Sequence, residues 1–260
     1  MDFLFFFVIF TIGFMGSYVS GMVGIGGSVI KYPMLLYIPP LLGIVTFTAH
    51  EISGINAVQV FFASMSSVWA YRKSGFLNKE VILYMGLSML MGGLVGSFTS
   101  DILSEGIINI VYAILATLAV LLMLLPKSKD QTDSEWESVK FNKVLATTIS
   151  LLVGIFAGII GAAGAFLLVP IMIVILGIPT RIAIASSLAI TFISSIGTTF
   201  GKVITGQVLL VPAIVMIVAS FIAAPLGVTK AKQMNVMILQ WILAILIFLS
   251  AVKIWSDLLF

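Results

Sequence analysis

The stretch GMVGIGGSVIKYP, from Gly21 to Pro33, returns later in the chain as GIIGAAGAFLLVP, from Gly158 to Pro170. The first, fourth and seventh residues of both copies are glycine and the thirteenth is proline, so the two copies align at one constant offset. Glycine and proline that interrupt long apolar segments at matching places in two halves of a chain point to the binding site of a transporter. The sequence therefore predicts a duplicated membrane transporter.

The composition around these phrases is that of a protein dissolved in a bilayer. Hydrophobic residues make up 61% of the chain and charged residues 9%, against roughly 25% charged residues in a soluble domain. Within the hydrocarbon core, backbone groups must bond inside helices or a closed barrel. Because the apolar runs are continuous and do not alternate with polar residues, they exclude a barrel. We expect an all-α polytopic membrane protein.

Other whole-chain features narrow the function. There is no cysteine, which excludes disulfides, thiolate catalysis and cysteine metal sites. The net charge of +3 comes from basic residues scattered among loops. The positive-inside rule of membrane proteins accounts for such residues, so they do not indicate that the protein binds a nucleic acid. The apolar run from Phe3 lacks a basic start and a clear cleavage site, so we expect it to be retained.

Ten apolar segments follow when a span is taken as about 20 apolar residues. They are 3–23, 28–48, 52–70, 81–100 and 107–125, then 144–160, 165–178, 183–203, 207–227 and 234–256. The one long hydrophilic stretch lies between the two sets of five. We therefore expect a first transmembrane repeat over 1–126, a cytoplasmic polar linker over 127–143 and a second repeat over 144–260.

The duplication extends beyond the glycine phrases. Gly75 before Phe76 matches Gly206 before Gln207. Further matches pair small residues, namely Gly92, Gly93 and Gly96 with Ala223, Ala224 and Gly227. The offset there is six residues smaller, which predicts an insertion near Pro39-Pro40 in the first half. Small residues at such spacings let membrane helices approach closely.

The basic residues predict the orientation. If every segment crosses, eleven Lys and Arg residues, Lys31 among them, fall on one side, and only Lys202 and Lys253 fall on the other. The positive-inside rule makes the first side cytoplasmic and places both termini outside. Five segments per half then make the two repeats inverted.

This count leaves one alternative open at each glycine phrase. The phrase joins two full spans, or it is the apex of a re-entrant hairpin, and both choices keep the loops on the same sides. Eight spanning helices plus two glycine-broken hairpins therefore fit as well as ten spans. We favour the hairpins because 144–160 and 165–178 are short.

A glycine break exposes backbone N–H groups at the start of the next half-helix, where the helix dipole also favours an anion. The predicted anion cradle contains glycines from both phrases and one hydroxyl: Gly24, Gly26, Gly27, Ser28, Gly161 and Gly164. The alternative is a close helix crossing that tolerates only small side chains.

Polar side chains after the breaks extend the predicted site. Lys31 follows the first apex, and it is a charged ligand if the hairpin holds it within the membrane or a snorkelling residue if the segment spans. Asn56 and Gln59, three residues apart, share a helix face, and Ser187 and Thr191 offer hydroxyls in the second half. Interhelical hydrogen bonding is the alternative for each hydroxyl.

Three further residues are candidates for coupling or access. His50, the only histidine, stands beside Glu51, and both could titrate in a proton-coupled carrier. A solvated pair at the outer interface is the alternative. Lys202, at the predicted outer end of a segment, is either an entry or exit ligand for an anion or a snorkelling lysine.

On these motifs the chain resembles the sulfite exporter TauE/SafE family of bacterial membrane proteins over nearly its whole length. The resemblance rests on the two glycine phrases, on Ala185-Ser186-Ser187-Leu188 and on the paired Gly75 and Gly206 loops. It implies a secondary transporter of sulfur-containing anions such as sulfite or organosulfonates, commonly moving them outward. The chain departs from the pattern at Ala162-Ala163, where a glycine-richer turn is expected, and in the phrase from Ala49 to Ser53.

We therefore expect a multi-pass carrier of the bacterial inner membrane that moves a small sulfur-containing anion by alternating access. A passive anion channel is the alternative, and unsaturable current would favour it over saturable counterflow. No nucleotide-binding loop, H-E-x-x-H or G-x-S-x-G phrase is present, so we expect no enzyme activity, cofactor or metal. The expected partners are the anion, the bilayer and a coupling ion, with no nucleic acid, and the small-residue faces also allow an oligomer.

Overall fold

A computed structural model describes residues 3–24, 28–124, 141–162 and 165–259. The described residues form ten α-helices, with one turn of 3-10 helix, Ser100–Ile102, after the fourth. The helices are α1 (Phe3–Val23), α2 (Ser28–Leu41), α3 (Ala49–Tyr71), α4 (Lys79–Thr99), α5 (Glu105–Leu124), α6 (Lys143–Ile160), α7 (Ala165–Val174), α8 (Thr180–Ile204), α9 (Leu210–Gln233) and α10 (Val236–Leu259). Most of the predicted linker, 127–140, lies outside the described residues.

The helices confirm an all-helical polytopic membrane protein. Six of them, α1, α4, α5, α6, α8 and α9, are long and apolar enough to cross a bilayer. In contrast, α2 and α7 have 14 and 10 residues. At 1.5 Å per residue they are about 21 and 15 Å long, well short of a hydrocarbon core of about 30 Å.

One predicted segment extends seven residues beyond its helix. The segment 28–48 was expected to be continuous, but α2 ends at Leu41. Pro39 and Pro40 lack backbone N–H groups, and the chain then turns through Gly43, whose φ is +65°. Residues 42–48 therefore form a loop that leads to α3.

Polar caps fix where several helices begin. Thr48 and Glu51 form a capping box at the start of α3, in which each side chain accepts from the other residue's backbone N–H. Asn78 accepts from the N–H of Val81 at the start of α4, and Asn142 caps α6 in the same way. These caps satisfy backbone N–H groups in the first turn of each helix.

The helices of the two halves begin at matching positions. The starts of α2 and α7, at 28 and 165, have the same offset as the two glycine phrases. The starts of α3 and α8 are at 49 and 180, those of α4 and α9 at 79 and 210, and those of α5 and α10 at 105 and 236, so these three pairs share one offset. Gly24 and Gly161 have φ of +78° and +74°, and Gly75 and Gly206 have +77° and +71°. Left-handed backbone thus recurs at matching turns, where glycine is the residue without a steric penalty.

The main helix contacts between the two halves recur when the halves are exchanged. The pair α1 and α9 has its counterpart in α6 and α4, the pair α3 and α9 in α8 and α4, and the pair α2 and α10 in α7 and α5. Helix α3 packs on α8, and α5 on α10. Each half therefore packs mainly against the other half, and the bundle is a single core.

Contacts between these pairs give the helix directions. Along α1 and α9, Gly13 lies against Met216 and Gly21 against Ala224, so the two helices run in the same direction. Pairs α3 and α9, α4 and α6, and α4 and α8 are likewise parallel. Helices α3 and α8 are antiparallel, because Ala57 contacts Thr199 near one end and the ring of Phe61 meets Phe192 further along. Helices α1, α3 and α9 therefore run opposite to α4, α6 and α8.

Candidate functional site

A buried lysine lies within the bundle, held by residues of three other helices. Lys31 of α2 is 0% exposed and donates to Oε1 of Gln59 on α3. The amide nitrogen of Gln59 donates to the hydroxyls of Ser17 on α1, at 2.5 Å, and of Ser220 on α9. The two serine oxygens are 2.9 Å apart. We call Lys31, Gln59, Ser17 and Ser220 the Lys31 cluster.

The Lys31 cluster lies at the middle depth of the long helices. Gln59 and Ser220 are each the eleventh residue of their helices, which have 23 and 24 residues. At 1.5 Å per residue they are about 15 Å from the helix starts, half of a hydrocarbon core of about 30 Å. The alternative in which Lys31 snorkels to the interface is therefore wrong, and Lys31 does not belong in the count of cytoplasmic loop charges.

Glycine on α1 makes room for the lysine. A Cβ added to Gly16 would lie 2.2 Å from Cγ of Lys31, much closer than two carbons can approach. The lysine stem thus runs along a notch in α1 and delivers its ammonium to Gln59. A charged group at this depth is costly, and such residues mark substrate or ion pathways in membrane proteins.

Each glycine break lies against the opposite half of the molecule. The hydroxyl of Ser187 on α8 donates to the carbonyl of Gly24 at 2.8 Å. A Cβ added to Gly161 would lie 1.9 Å from the carbonyl oxygen of Ser53 on α3. The first break therefore packs against α8 and the second against α3, which places backbone from both halves beside the polar faces of these two helices.

Part of the predicted cradle lies outside the described residues. Gly26, Gly27 and Gly164 are not described, and Ser28 is described only as the first residue of α2. Gly24 and Gly161 lie at the breaks, and Gly161 caps the end of α6. The anion cradle of backbone N–H groups stays a prediction.

Two predicted ligands are buried polar side chains that bond to no described residue. Both amide atoms of Asn56 and the hydroxyl of Thr191 are buried in this way. Asn56 lies on α3 between Ser53 and Gln59, and Thr191 is one turn after Ser187 on α8. Buried polar groups nearly always find a hydrogen-bond partner. These two are therefore the side chains in the site that are ready to bond a ligand or water.

Other hydroxyls on α3 and α8 bond to the protein itself. Ser53 donates to the carbonyl of Ile159 at 3.1 Å, and Ser194 to that of Met89 at 3.1 Å. Ser64 and Ser195 donate to carbonyls of their own helices. For these residues the alternative interpretation, hydrogen bonding within a membrane bundle, accounts for the hydroxyl.

Comparison with known proteins agrees with this architecture. The sequence profile described as sulfite exporter TauE/SafE matches residues 9–254. The chain belongs to the sulfite exporter TauE/SafE family. It is similar to the "Probable membrane transporter protein YunE" of Bacillus subtilis (strain 168), with 22% identity over 259 residues, 94% of this chain and 95% of the relative. A "Probable membrane transporter protein" of Xylella fastidiosa (strain Temecula1 / ATCC 700964) is 27% identical over 183 residues, 70% and 68% of the two chains.

This TauE/SafE protein is therefore a multi-pass membrane transporter. Family membership and the names of its relatives support that statement, as do the six apolar helices. No solved structure matches the chain.

In this TauE/SafE protein His50 and Glu51, the predicted coupling pair, form separate hydrogen bonds. The Glu51 carboxylate accepts from the backbone N–H of Thr48 at 2.8 Å, as part of the helix cap. Nε2 of His50 lies 3.1 Å from the carbonyl oxygens of both Ser100 and Leu103. Both residues therefore have a structural task, and a part in proton coupling stays a prediction.

A second buried lysine lies at the end of α8. Lys202 is 0% exposed, so the snorkelling alternative is wrong for it as well. Its ammonium donates to Oγ of Ser100 at 2.5 Å, Oε1 of Gln207 at 2.8 Å and the carbonyl of Ile159 at 3.1 Å. The amide nitrogen of Gln207 lies 3.4 Å from Oδ1 of Asp101. We call Lys202, Ser100, Gln207 and Asp101 the Lys202 cluster.

The partners of Lys202 were missed in the sequence. Ser100 is one of many serines in apolar helices, and its place in the cluster comes from a contact across 102 residues. Gln207 carried a usable signal, since it is a polar residue directly after the Gly206 turn. Its counterpart after Gly75 is Phe76. A polar residue in one half opposite an apolar residue in the other is the signal that singles out Gln207 as a candidate member of a polar cluster.

Proposed function

We propose that this transporter carries a small sulfur-containing anion, sulfite or an organosulfonate, out of the cell by alternating access. The observation that carries the proposal is the Lys31 cluster, a lysine ammonium at the middle depth of the bundle. Sulfite and sulfonate present three oxygens that accept charge-assisted hydrogen bonds, which are about twice as strong as neutral ones. The family's description as sulfite exporters supports the choice of substrate.

The side chains around the ammonium suit an oxyanion. Gln59 holds the lysine on its carbonyl side, and its amide nitrogen bonds two serines. Asn56, one turn away, has an amide group that bonds to no described residue. The anion would bind between Lys31, Asn56 and Thr191, and the backbone of both breaks would supply further N–H donors.

Two inverted repeats would provide the alternating movement. The repeats are 1–126 and 144–260, joined by the linker 127–143 on the cytoplasmic side. Three observations support this arrangement: the helices of the two halves begin at matching positions, the main contacts between the halves recur when the halves are exchanged, and α3 and α8 run in opposite directions. The short α2 and α7 support eight spanning helices with two hairpins. Both termini would then lie outside the inner membrane.

The driving force would be an ion gradient or the gradient of the anion, without enzymatic chemistry. His50 and Glu51 are the candidates for a proton-coupled step, although each already has a structural contact. A passive anion channel differs from this carrier in its flux, because a carrier saturates and a channel does not.

Uptake of labelled sulfite into liposomes that contain the purified protein tests the proposal. We expect saturable uptake that organosulfonates inhibit, with little current. Lys31→Met should reduce it to about a tenth or less, since one charged hydrogen bond is worth about 1.5–3 kcal/mol and 1.4 kcal/mol is tenfold. Lys230→Met, at an exposed lysine of α9, is the matched control and should keep wild-type uptake. Unsaturable current, or full uptake by Lys31→Met, would overturn the proposal.

A further inference from the structure

Six residues line a cleft at the end of the bundle opposite the Lys202 cluster. They are Tyr71, Phe76, Arg181, Ile184, Ala231 and Lys232. The cleft is shallow and partly open to the surroundings. We call it the Arg181 cleft. It lies where α8 begins and where α3 and α9 end.

The Arg181 cleft and the surroundings of Lys202 occupy matching positions in the two halves. At the offset that relates α3 to α8, Tyr71 matches Lys202, Phe76 matches Gln207 and Lys232 matches Asp101. Ala231 matches Ser100, Arg181 matches His50 and Ile184 matches Ser53. The contacts match too, because Arg181 donates to the carbonyl of Met234 at 3.4 Å, and His50 lies against that of Leu103.

The two ends differ in how their cations are bonded. All three N–H donors of Lys202 have acceptors, so its cluster is closed. In the cleft, Arg181 donates to the carbonyls of Lys232 at 3.3 Å and Met234, and Lys232 donates to that of Ala70 at 2.8 Å. Guanidinium has five N–H donors and ammonium three. Within the described part of the chain, Arg181 thus keeps three unused donors and Lys232 two.

Aromatic rings hold both cations at the cleft. The guanidinium carbon of Arg181 lies 5.9 Å from the ring centroid of Phe76, and Nζ of Lys232 lies 5.2 Å from that of Tyr71. Both distances are within the range of a cation–π contact. No described carboxylate forms an ion pair with either cation. Two fixed positive charges with unused donors therefore line an open cleft.

We propose that the Arg181 cleft is a second anion-binding site, separate from the Lys31 cluster, for a tetrahedral oxyanion group such as a sulfonate or a phosphate. Arg181 supplies the planar fork that suits such a group, and Lys232 supplies a point charge. The group could belong to a soluble anion waiting at the mouth of the transporter or to the headgroup of an anionic lipid. In both cases the two cations would meet terminal oxygens that carry negative charge on a tetrahedral centre.

Titration calorimetry of methanesulfonate tests the site, with the protein in phosphatidylcholine nanodiscs. Every protein variant in this experiment also carries Lys31→Met. The heat of methanesulfonate binding then comes from the cleft and not from the proposed transport site. Comparing this background with wild type tests the Lys31 site separately, so failure of one proposal is distinguishable from failure of the other. We expect the background to bind methanesulfonate at one saturable site.

Variants of Arg181 and Lys232 test whether these two side chains bind the anion. Arg181→Gln with Lys232→Gln should weaken binding by about tenfold or more, because each lost bond is charge-assisted. Arg181→Lys and Lys232→Arg keep the charges and should retain most of the binding, which controls for damage to the helix ends. Arg72→Gln is the matched control, an arginine outside the cleft that lies 4.5 Å from the ring of Trp69.

Repeating the titration in phosphatidylglycerol nanodiscs distinguishes a site for a soluble anion from a site for a lipid headgroup. Unchanged binding of methanesulfonate supports a site for a soluble anion, and its loss through competition supports a site for a lipid headgroup. The proposal is overturned if the background binds no methanesulfonate in phosphatidylcholine. It is also overturned if the double glutamine variant binds as tightly as the background.

Discussion

At the scale of the residue, Gln59 is an acceptor that helps to hold a lysine at the centre of the bundle. Its carbonyl oxygen accepts from Lys31 while its amide nitrogen bonds Ser17 and Ser220. Removing one partner of a buried charged group leaves an unsatisfied donor, whereas replacing both with apolar groups can be nearly neutral. The stability of variants can therefore report this contact without any transport assay.

Gln59→Leu should destabilise the protein by about 1.5–3 kcal/mol, because it leaves the ammonium of Lys31 without this acceptor. Adding Lys31→Met should restore much of the lost stability. Thermal unfolding of the detergent-solubilised single and double variants measures both effects. Equal melting temperatures for Gln59→Leu and wild type would contradict the contact.

A second residue-scale prediction concerns the notch at Gly16. Gly16→Ala places a methyl group where the stem of Lys31 runs, so it should displace the lysine and sharply reduce uptake of sulfite. Gly106→Ala is the control, because a Cβ there meets no atom within 4 Å. If both variants transport equally well, the lysine does not depend on the notch.

The sequence predicts both sides of the contact between Lys31 and Gln59 but only one side of the contacts between Gln59 and the two serines. Lys31, Asn56 and Gln59 stand out because charges and amides are rare in apolar helices. Ser17 and Ser220 do not, since single serines are common in membrane helices and these two meet across 203 residues. Lys202 was noticed as unusual, but burial could not be predicted from its place near a helix end.

At the scale of the element, close crossings of parallel helices hold the two halves together. A Cβ on Gly96 of α4 would lie 1.8 Å from the carbonyl oxygen of Ile155 on α6. The matching glycine of α9, Gly227, would place a Cβ 2.0 Å from the carbonyl oxygen of Tyr18 on α1. A backbone oxygen cannot move aside as a side chain can, so these crossings require glycine.

Gly96→Ala and Gly227→Ala should therefore each destabilise the protein, by about 1–3 kcal/mol as is typical of overpacking. Because the two crossings match, the losses should be similar in size. Melting temperatures in detergent measure them, again with Gly106→Ala as the control. A stable Gly96→Ala variant would show that α4 and α6 are further apart than described.

The helix bounds were predictable where apolar runs end at caps or glycines. The segments 3–23 and 144–160 match α1 and α6 to within a residue. The predicted segments end four residues too late at α7 and six residues too early at α9. The largest difference is at α2, whose predicted segment is seven residues too long. The apolar run continues through Pro39 and Pro40, so hydropathy alone predicts a longer helix. The two prolines have no backbone N–H to donate, and this loss of hydrogen bonds favours an end to the helix close by.

At the scale of the whole molecule, the inverted arrangement predicts that matching loops lie on opposite sides of the membrane. Ser104 directly precedes α5 and Asn235 directly precedes α10, at matching positions of the two halves, and both are exposed. The chain has no cysteine, so single cysteines introduced at these positions can be labelled without interference.

A membrane-impermeant maleimide applied to intact cells should label Ser104→Cys and leave Asn235→Cys unlabelled until the membrane is opened. The basic residues place the first loop outside and the second inside. Labelling both variants in intact cells, or neither, would contradict the inverted repeats. Labelling only Asn235→Cys would keep the inversion and reverse the orientation.

The most direct test of the central claim, that a buried lysine binds a sulfur oxyanion in an alternating-access carrier, is counterflow. Liposomes with purified protein are loaded with unlabelled sulfite, and the entry of labelled sulfite is measured for wild type and Lys31→Met. We predict that internal sulfite accelerates entry through the wild type and that Lys31→Met shows no such acceleration. Counterflow through Lys31→Met equal to that of the wild type would contradict the account.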